Sequence, residues 1–286
     1  MFALYKLQAK VWFVNIFNKI DFFIVVLFLA VMGSIIASRI PTEGYPNGID
    51  YIDVLSISNF SIISSISLMM VASSAINTFG MSFFEMKKSV LLKRIGATEI
   101  TKPKAIGAFI LWGMTSMIFI VGWMFLLVAL CQIGDENTLG GMLYVAPKYW
   151  ANVQWAGVFA AIFVVMISFY AISFFFISIS KDVTSYQMLA TFYFFLATML
   201  GGSYTPNADR MWMDVIGFMT PLGWGGDIMN AAMNGHDWWN IVDGFTFKSP
   251  LGDEEVTGIK AAANIFVPIL YGGLAGIASA KFFKWD

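Results

Sequence analysis

The chain has 286 residues, of which 58% are hydrophobic, 17% are aromatic and 12% are charged, and its net charge is -1. This composition is typical of a protein with several membrane-spanning helices and excludes an ordinary soluble domain. The single cysteine, Cys131, excludes a disulfide within the chain, and the single histidine, His236, argues against a multi-histidine metal site.

Residues 1–21 predict an amphipathic helix that lies in the inner membrane interface. Their apolar side chains recur at three- and four-residue intervals and fall in one arc without charged residues. The apolar set is Phe2, Tyr5, Ala9, Trp12, Phe13, Ile16 and Ile20. Lys6, Lys10 and Lys19 would face anionic headgroups. This helix either only anchors the first span or takes part in coupling, and the sequence leaves both interpretations open.

Six uncharged stretches are candidates for membrane spans, since a helix needs about 20 residues to cross about 30 Å of hydrocarbon. They are residues 22–38, 54–84, 105–134, 149–180, 183–208 and 261–280. The second, third and fourth exceed one membrane thickness, so we expect each to tilt or to contain some interfacial helix. Lys181 and Asp182 alone separate the fourth stretch from the fifth, which predicts a tight helical hairpin.

The second predicted span carries a polar strip that includes Ser64, Ser67, Ser74 and Asn77. Such side chains often hydrogen-bond back to their own helix, and they also mediate contacts between membrane helices. These four residues are therefore candidates for a translocation path, with purely structural hydrogen bonding as the alternative.

A compact basic block, residues 84–107, separates the second predicted span from the third. Within it, Gly96 is a helix stop, Thr98 can cap a short turn, and Thr101 or Lys102 can cap the next helix with Pro103 near its first turn. The pattern predicts helix, break, turn and helix at the inner surface. The block either only fixes the membrane topology or binds another protein.

The distribution of Lys and Arg predicts that both termini are cytosolic. In that orientation twelve of the 17 basic residues lie inside, as the positive-inside rule requires. The inner residues are Lys6, Lys10, Lys19, Lys87, Lys88, Lys93, Arg94, Lys102, Lys104, Lys181, Lys281 and Lys284, and the outer ones are Arg39, Lys148, Arg210, Lys248 and Lys260.

The residue order in the basic block resembles the cytosolic loop of ABC exporter permeases of the type-2 family. An acidic residue and basic residues precede a Leu-Lys-Arg stretch, and a small residue followed by Thr leads to the next span. The matching residues are Glu85, Lys87, Lys88, Leu92, Lys93, Arg94, Ala97 and Thr98. The resemblance implies a coupling helix that docks on an ATPase subunit, with contact from Lys93 to Thr101. Glu99 stands where the family often has proline.

Residues 201–235 resemble the external re-entrant hairpin of the same family. There, a Gly-rich end of the fifth span leads to a proline, a short helix, an apolar-Pro step and a second short helix. The matching residues are Gly201, Gly202, Pro206, Pro221, Leu222, Asp227 and Gly235. Met229 and Asn230 stand where the family often has an arginine.

The physical character of this stretch agrees with a re-entrant hairpin. Residues 215–226 are apolar but too short to span, and Pro221 with three nearby glycines, Gly223, Gly225 and Gly226, predicts an interrupted helix. Broken backbone at membrane depth requires cover by protein or a wet cavity. Residues 234–260 read as an external elaboration whose aromatic side chains lie at the outer headgroups or grip a substrate.

Together, these features predict an all-α polytopic membrane protein of six transmembrane helices. Residues 1–21 form the interfacial helix and residues 22–286 the transmembrane domain, with the coupling region at 84–107 and the external re-entrant hairpin and elaboration at 203–260. Close spacing of Gly272, Gly273 and Gly276 in the last span permits tight helix packing, within the subunit or at a dimer seam.

The family resemblance implies the permease subunit of an ATP-driven exporter in the cell membrane. No GxxxxGK[ST] phosphate loop occurs, so ATP and Mg would be bound by a separate ATPase subunit. This chain itself would bind no cofactor and would not be an enzyme. A second permease subunit and the lipid bilayer are the other expected partners, and no nucleic acid is expected. A charge-poor interior suits a lipid, lipid-linked glycan, hydrophobic peptide or drug.

Two other classes of protein remain open from the sequence. An ion-coupled secondary transporter is disfavoured because no charged residue lies within a confident span. A non-transporting membrane scaffold would use the basic block to bind a protein or lipid headgroups. An intramembrane enzyme is disfavoured because no nucleophile and base pair is visible within the spans.

Overall fold

The computed structural model describes residues 5–6, 10, 51–81, 83–84, 102–131, 144–200, 220–235 and 270–277. Within these ranges the chain is helical apart from short connections. Three of the described helices contain stretches long and apolar enough to cross a membrane, Leu55–Ile76, Gly107–Leu130 and Trp155–Ile179. The predicted all-α membrane class is confirmed at this level. The predicted first span, residues 22–38, lies outside the described residues.

The described helices follow the order of the predicted spans. They are α1 (Tyr51–Ser73), a π-helical segment (Ser74–Gly80), α2 (Lys102–Cys131), α3 (Pro147–Asn152), α4 (Trp155–Ile179), α5 (Val183–Leu200), α6 (Pro221–Met233) and α7 (residues 270–277). Tyr5, Lys6 and Lys10 are helical, and the other residues of the predicted N-terminal helix lie outside the described residues.

Helix α1 lies at the centre of the described bundle. Protein buries 82% of its apolar, membrane-spanning stretch, against 39% of the corresponding stretch in α2. It packs against α2, α4 and α6 through apolar side chains such as Ile63, Leu68 and Val71. Among its described polar side chains, Ser56, Asn59, Ser64 and Ser67 are buried between helices.

The first turns of α1 are bonded to the non-helical residues 144–146, which precede α3. The Ser56 hydroxyl accepts a hydrogen bond from the Ala146 backbone N–H at 3.0 Å, and the Asn59 Nδ2 donates to the Tyr144 carbonyl at 2.8 Å. The Phe60 ring meets the Trp150 ring edge-on at 5.1 Å. Ser56 and Asn59 thus supply hydrogen-bond partners to the non-helical backbone of residues 144–146, because buried backbone groups need such partners.

The predicted fourth span, residues 149–180, is divided between two helices. The short helix α3 ends at Asn152, and α4 begins at Trp155 after a break at Val153 and Gln154. This division accounts for the excess length of the stretch. The tight hairpin predicted at Lys181 and Asp182 is confirmed, because α5 begins at Val183.

The Asp182 carboxylate caps the first turn of α5. Its Oδ1 accepts from the Ser185 N–H at 2.7 Å, and its Oδ2 accepts from the Ser185 hydroxyl at 3.0 Å. A carboxylate at this position satisfies an N–H group that has no partner within the helix. The acidic residue of the connection therefore fixes where α5 starts.

Helix α6 runs antiparallel to α4 and begins at about the middle of α4. Gln154, at the start of α4, donates its backbone N–H to the Ala232 carbonyl at 2.9 Å and its Nε2 to the Gly235 carbonyl at 3.2 Å. Earlier in α6, Gly225 lies against Val165, which is about 15 Å along α4 from its first residue. The C-terminal end of α6 is therefore level with the start of α4.

The interruption predicted between residues 215 and 226 falls at Thr220 and Pro221, where α6 begins. The Thr220 side chain caps the helix by accepting from the Gly223 N–H at 3.3 Å, and Pro221 occupies the first turn. The three glycines named with Pro221 lie inside α6 and do not interrupt it. Gly225 instead lets the α6 backbone approach Val165 of α4 and Leu68 of α1.

Replacing Gly225 with Ala is expected to destabilise the fold, whereas Gly226→Ala is the matched control. A methyl group at position 225 would overlap the Val165 side chain, while a methyl group at position 226 meets no atom within 4 Å. Both changes favour the helix by about 1 kcal/mol through the higher helix propensity of Ala. The difference between the two variants in free energy of unfolding therefore isolates the overlap, for which we expect about 1–3 kcal/mol. Unfolding by SDS in mixed micelles measures it, and equal stabilities would contradict the described packing.

Candidate functional site

The π-helical segment Ser74–Gly80 interrupts the regular hydrogen bonding of the second predicted span. In such a segment each N–H bonds to the fifth preceding carbonyl, whereas an α-helix uses the fourth. Segments of this kind are rare and are often found at functional sites. This one ends at Gly80, a few residues before the basic block begins at residue 84.

Two side chains from neighbouring helices bind the backbone of the π-helical segment. The Ser173 hydroxyl of α4 donates to the Ala75 carbonyl at 3.0 Å, and the Tyr186 hydroxyl of α5 donates to the Ile76 carbonyl at 2.6 Å. Ser173 and Tyr186 are fully buried. Irregular helix at membrane depth persists where neighbouring helices supply such donors, and these two bonds fill that role.

Two glycines allow the helices to approach one another at this point. A side chain at Gly80 would overlap the Tyr186 hydroxyl. On α2, a methyl group at Gly113 would lie 2.7 Å from the Tyr170 hydroxyl of α4 and 3.0 Å from Cδ2 of Phe79. The close contact of α2, α4 and α5 with this segment therefore depends on the absence of side chains at both positions.

Aromatic rings enclose the same region. Phe79 meets Tyr170 edge-on at 4.5 Å, and Phe83 meets Phe109 of α2 edge-on at 4.6 Å. Phe84 stacks on Tyr186 at 5.7 Å. We call this cluster the π-helix node, and it consists of Ala75, Ile76, Phe79, Gly80, Phe83, Phe84, Phe109, Gly113, Tyr170, Ser173, Phe174 and Tyr186.

The serines proposed for a translocation path lie inside the subunit. Ser64, Ser67 and Ser74 are 1%, 0% and 2% exposed, so none of them lines an open surface. The Ser67 hydroxyl donates to the Ile63 carbonyl of its own helix and also lies 3.2 Å from the Met124 sulfur of α2. Among the described residues, the Ser64 and Ser74 hydroxyls have no hydrogen-bond partner. The backbone of Asn77 belongs to the π-helical segment, and its side chain lies outside the described residues.

The remaining predicted site residues fall into two groups. On α6, Pro221 and Leu222 are buried against the bundle and Asp227 is half-buried. The others lie outside the described residues, namely Glu85, Lys87, Lys88, Lys93, Arg94, Ala97, Thr98, Glu99, Thr101, Gly201, Gly202 and Pro206. Their roles stay predictions.

The N-terminal segment contacts α2 close to the π-helix node. The Tyr5 hydroxyl donates to the Thr115 Oγ1 at 3.2 Å, and the Tyr5 ring meets the Trp112 ring edge-on at 5.3 Å. Trp112 and Thr115 flank Gly113, which contacts Tyr170. The predicted interfacial helix therefore touches the span that directly follows the basic block.

The sequence interpretation missed Ser173, Tyr186, Gly80 and Gly113. The available signal was weak, because Ser173, Gly80 and Gly113 are single small residues and Tyr186 lies among other polar residues at the start of a predicted span. Of the π-helical segment itself, only Ser74 and Asn77 belong to the predicted polar strip. Tyr186 is separated from Ile76 by 110 residues, so no local pattern joins them.

The described residues define an α-helical membrane protein with a tightly packed node and no recognisable catalytic centre in those ranges. No group of three or more His, Cys, Asp or Glu side chains able to hold a metal ion occurs among them. Comparison with protein-family models, with curated proteins and with solved structures gives no match for this chain.

Replacing Gly80 with Ala is expected to disrupt the π-helix node, with Gly122→Ala on α2 as the control. The methyl group at position 80 would displace the Tyr186 hydroxyl from the Ile76 carbonyl, whereas a methyl group at position 122 meets no atom within 4 Å. Overlap and a lost hydrogen bond together should cost about 2–4 kcal/mol.

Unfolding by SDS in mixed micelles, followed by circular dichroism, measures this difference. Adding Tyr186→Leu to Gly80→Ala should recover part of the loss, because it removes the overlapping hydroxyl. If Gly80→Ala is as stable as Gly122→Ala, the close approach of α5 to the π-helical segment is wrong.

Proposed function

We propose that this chain is the transmembrane permease subunit of an ATP-driven exporter and that residues 85–101 receive the force from a separate ATPase subunit. The observation that carries the proposal is the π-helix node. The second predicted span leaves regular α-helical geometry immediately before the basic block, and α2, α4 and α5 all contact it there. A displacement of the block is therefore transmitted to the described core helices through contiguous packed side chains.

The position of α6 supports the external re-entrant hairpin of this proposal. The helix has 13 residues, which is too short to cross a membrane. It begins level with the middle of α4, ends at the start of α4, and has most of its side chains covered by α4 and α1. A helix that enters and leaves from one side needs this cover, because its ends place backbone polar groups at membrane depth.

The absence of charge in the described spans favours an exporter over an ion-coupled transporter. The stretches Leu55–Ile76, Gly107–Leu130 and Trp155–Ile179 contain no Asp, Glu, Lys or Arg. Ion-coupled transporters commonly place such residues inside the membrane to bind the coupling ion. The apolar interior instead suits an amphipathic or hydrophobic substrate, such as a lipid, a lipid-linked glycan, a peptide or a drug.

The proposed assembly contains two permease subunits, each with six spans and cytosolic termini, and two ATPase subunits that bind ATP and Mg. Closure of the ATPase pair moves residues 85–101. The end of the second span and the start of α2 are displaced with them. The α4–α5 hairpin follows, because Ser173 and Tyr186 are bonded to the displaced segment.

Charge reversal at Lys93 and Arg94 is expected to uncouple the ATPase. In a complex with an ATPase subunit that copurifies with this chain, Lys93→Glu with Arg94→Glu should reduce substrate-stimulated ATP turnover by at least about tenfold, since reversed charges at an interface disfavour docking. Lys181→Glu is the control, because Lys181 is an exposed basic residue at the α4–α5 turn, outside the block.

Copurification of the ATPase and its rate of ATP hydrolysis are the two readouts. Normal stimulated turnover in the double variant would refute the coupling role of these residues. Failure of any neighbouring ATPase to copurify with the unaltered chain would refute the proposed function and would favour the secondary transporter or the scaffold.

A further inference from the structure

The π-helical segment differs from an α-helix by the number of residues in each hydrogen-bonded turn. Its bonds run from residue i to i+5, so the segment contains one residue more than an α-helical path of equal length. An α-helix turns by about 100° and rises 1.5 Å per residue. If Ser74–Gly80 adopted α-helical bonding, everything that follows would rotate by about 100° around the helix axis.

Bonds from two other helices hold the present register. Ser173 and Tyr186 donate to the adjacent carbonyls of Ala75 and Ile76, and Gly80 leaves the space that Tyr186 occupies. A hydrogen bond between membrane helices shifts an equilibrium by about threefold on average and by up to about twentyfold. Two such bonds can therefore decide between registers of similar free energy.

Both bonds come from the α4–α5 hairpin and not from α1 itself. Ser173 lies near the end of α4, and Tyr186 lies in the first turn of α5, on either side of the Lys181–Asp182 connection. The two donors therefore move with one structural unit. Withdrawal of this hairpin by a small distance would remove both donors together.

We propose that Ser74–Gly80 is a register switch controlled by the α4–α5 hairpin. With Ser173 and Tyr186 engaged, the segment is π-helical, and Phe83 and Phe84 face the core. With both donors withdrawn, it becomes α-helical, and residues 81–84 rotate together with the basic block. The role of this rotation in coupling rests on the proposed function, whereas the switch itself is a property of the isolated chain.

The rotation is measurable in the isolated chain by nitroxide scanning. In a Cys131→Ser background, single cysteines at positions 81 to 85 carry a spin label in lipid nanodiscs, and power saturation measures collisions with oxygen. In the unaltered register, among the described positions of this scan, accessibility should be higher at Met81, which is half-buried, than at Phe83 and Phe84, each 1% exposed. A 100° rotation moves the maximum by one position.

Tyr186→Phe should increase the α-to-π population ratio by about threefold to twentyfold and shift the accessibility maximum accordingly. Ser173→Ala should shift it in the same direction, and the two together should shift it further. Tyr193→Phe is the matched control, because Tyr193 is a second tyrosine of α5 whose ring packs on Phe169 and Phe176 and not on the π-helical segment.

A maximum that stays at Met81 in both variants, with only reduced stability, would overturn the switch and leave Ser173 and Tyr186 as structural bonds. The same shift in Tyr193→Phe would also overturn it, because the effect would then not depend on the two donors. No ATPase is present in this experiment. Its outcome is therefore independent of whether the chain couples to one, and failed copurification would leave the switch intact.

Discussion

A backbone carbonyl or N–H group buried away from water must find a hydrogen-bond partner, and the described bundle is arranged around this requirement. At the start of α1, Ser56 and Asn59 bond the irregular connection at Tyr144 and Ala146. At the far end of the same span, the π-helical segment receives donors from Ser173 and Tyr186. At the end of α6, the carbonyls of Ala232 and Gly235 accept hydrogen bonds from Gln154. Each departure from regular helix is thus met by a polar group on a neighbouring helix.

Close approach of the helices makes these bonds geometrically possible. Side-chain hydrogen bonds reach a neighbouring backbone only where the axes lie near each other, and small residues permit this in membrane helices. Gly80 admits the Tyr186 hydroxyl, Gly113 admits Tyr170, and Gly225 admits Val165. The hydrogen bonds between these helices and their tight packing are therefore two aspects of one arrangement.

Local features of the chain were predictable where the cause is local. The hairpin at Lys181 and Asp182 followed from two charged residues between apolar runs, and the start of α6 followed from the backbone restriction at Pro221. The role of Gly225 within α6 was not predictable locally, because it depends on Val165 of the partner helix. The candidate site was largely beyond prediction. Ser74 belongs to the predicted polar strip. The π-helical bonding of the segment that it begins, however, involves Ser173 and Tyr186, which lie about 100 residues away in the sequence.

The sequence by itself determined the all-helical membrane class, the ends of several helices and the basic block, because apolar length, charge and proline geometry act through neighbouring residues. Only the tertiary structure decided that α1 is central, that α6 runs antiparallel to α4, and that Ser74–Gly80 takes π-helical bonding. An α-helix and a π-helix use the same residues and differ by one position in their hydrogen bonds. The choice between them therefore depends on which side chains of other helices reach the carbonyls of Ala75 and Ile76.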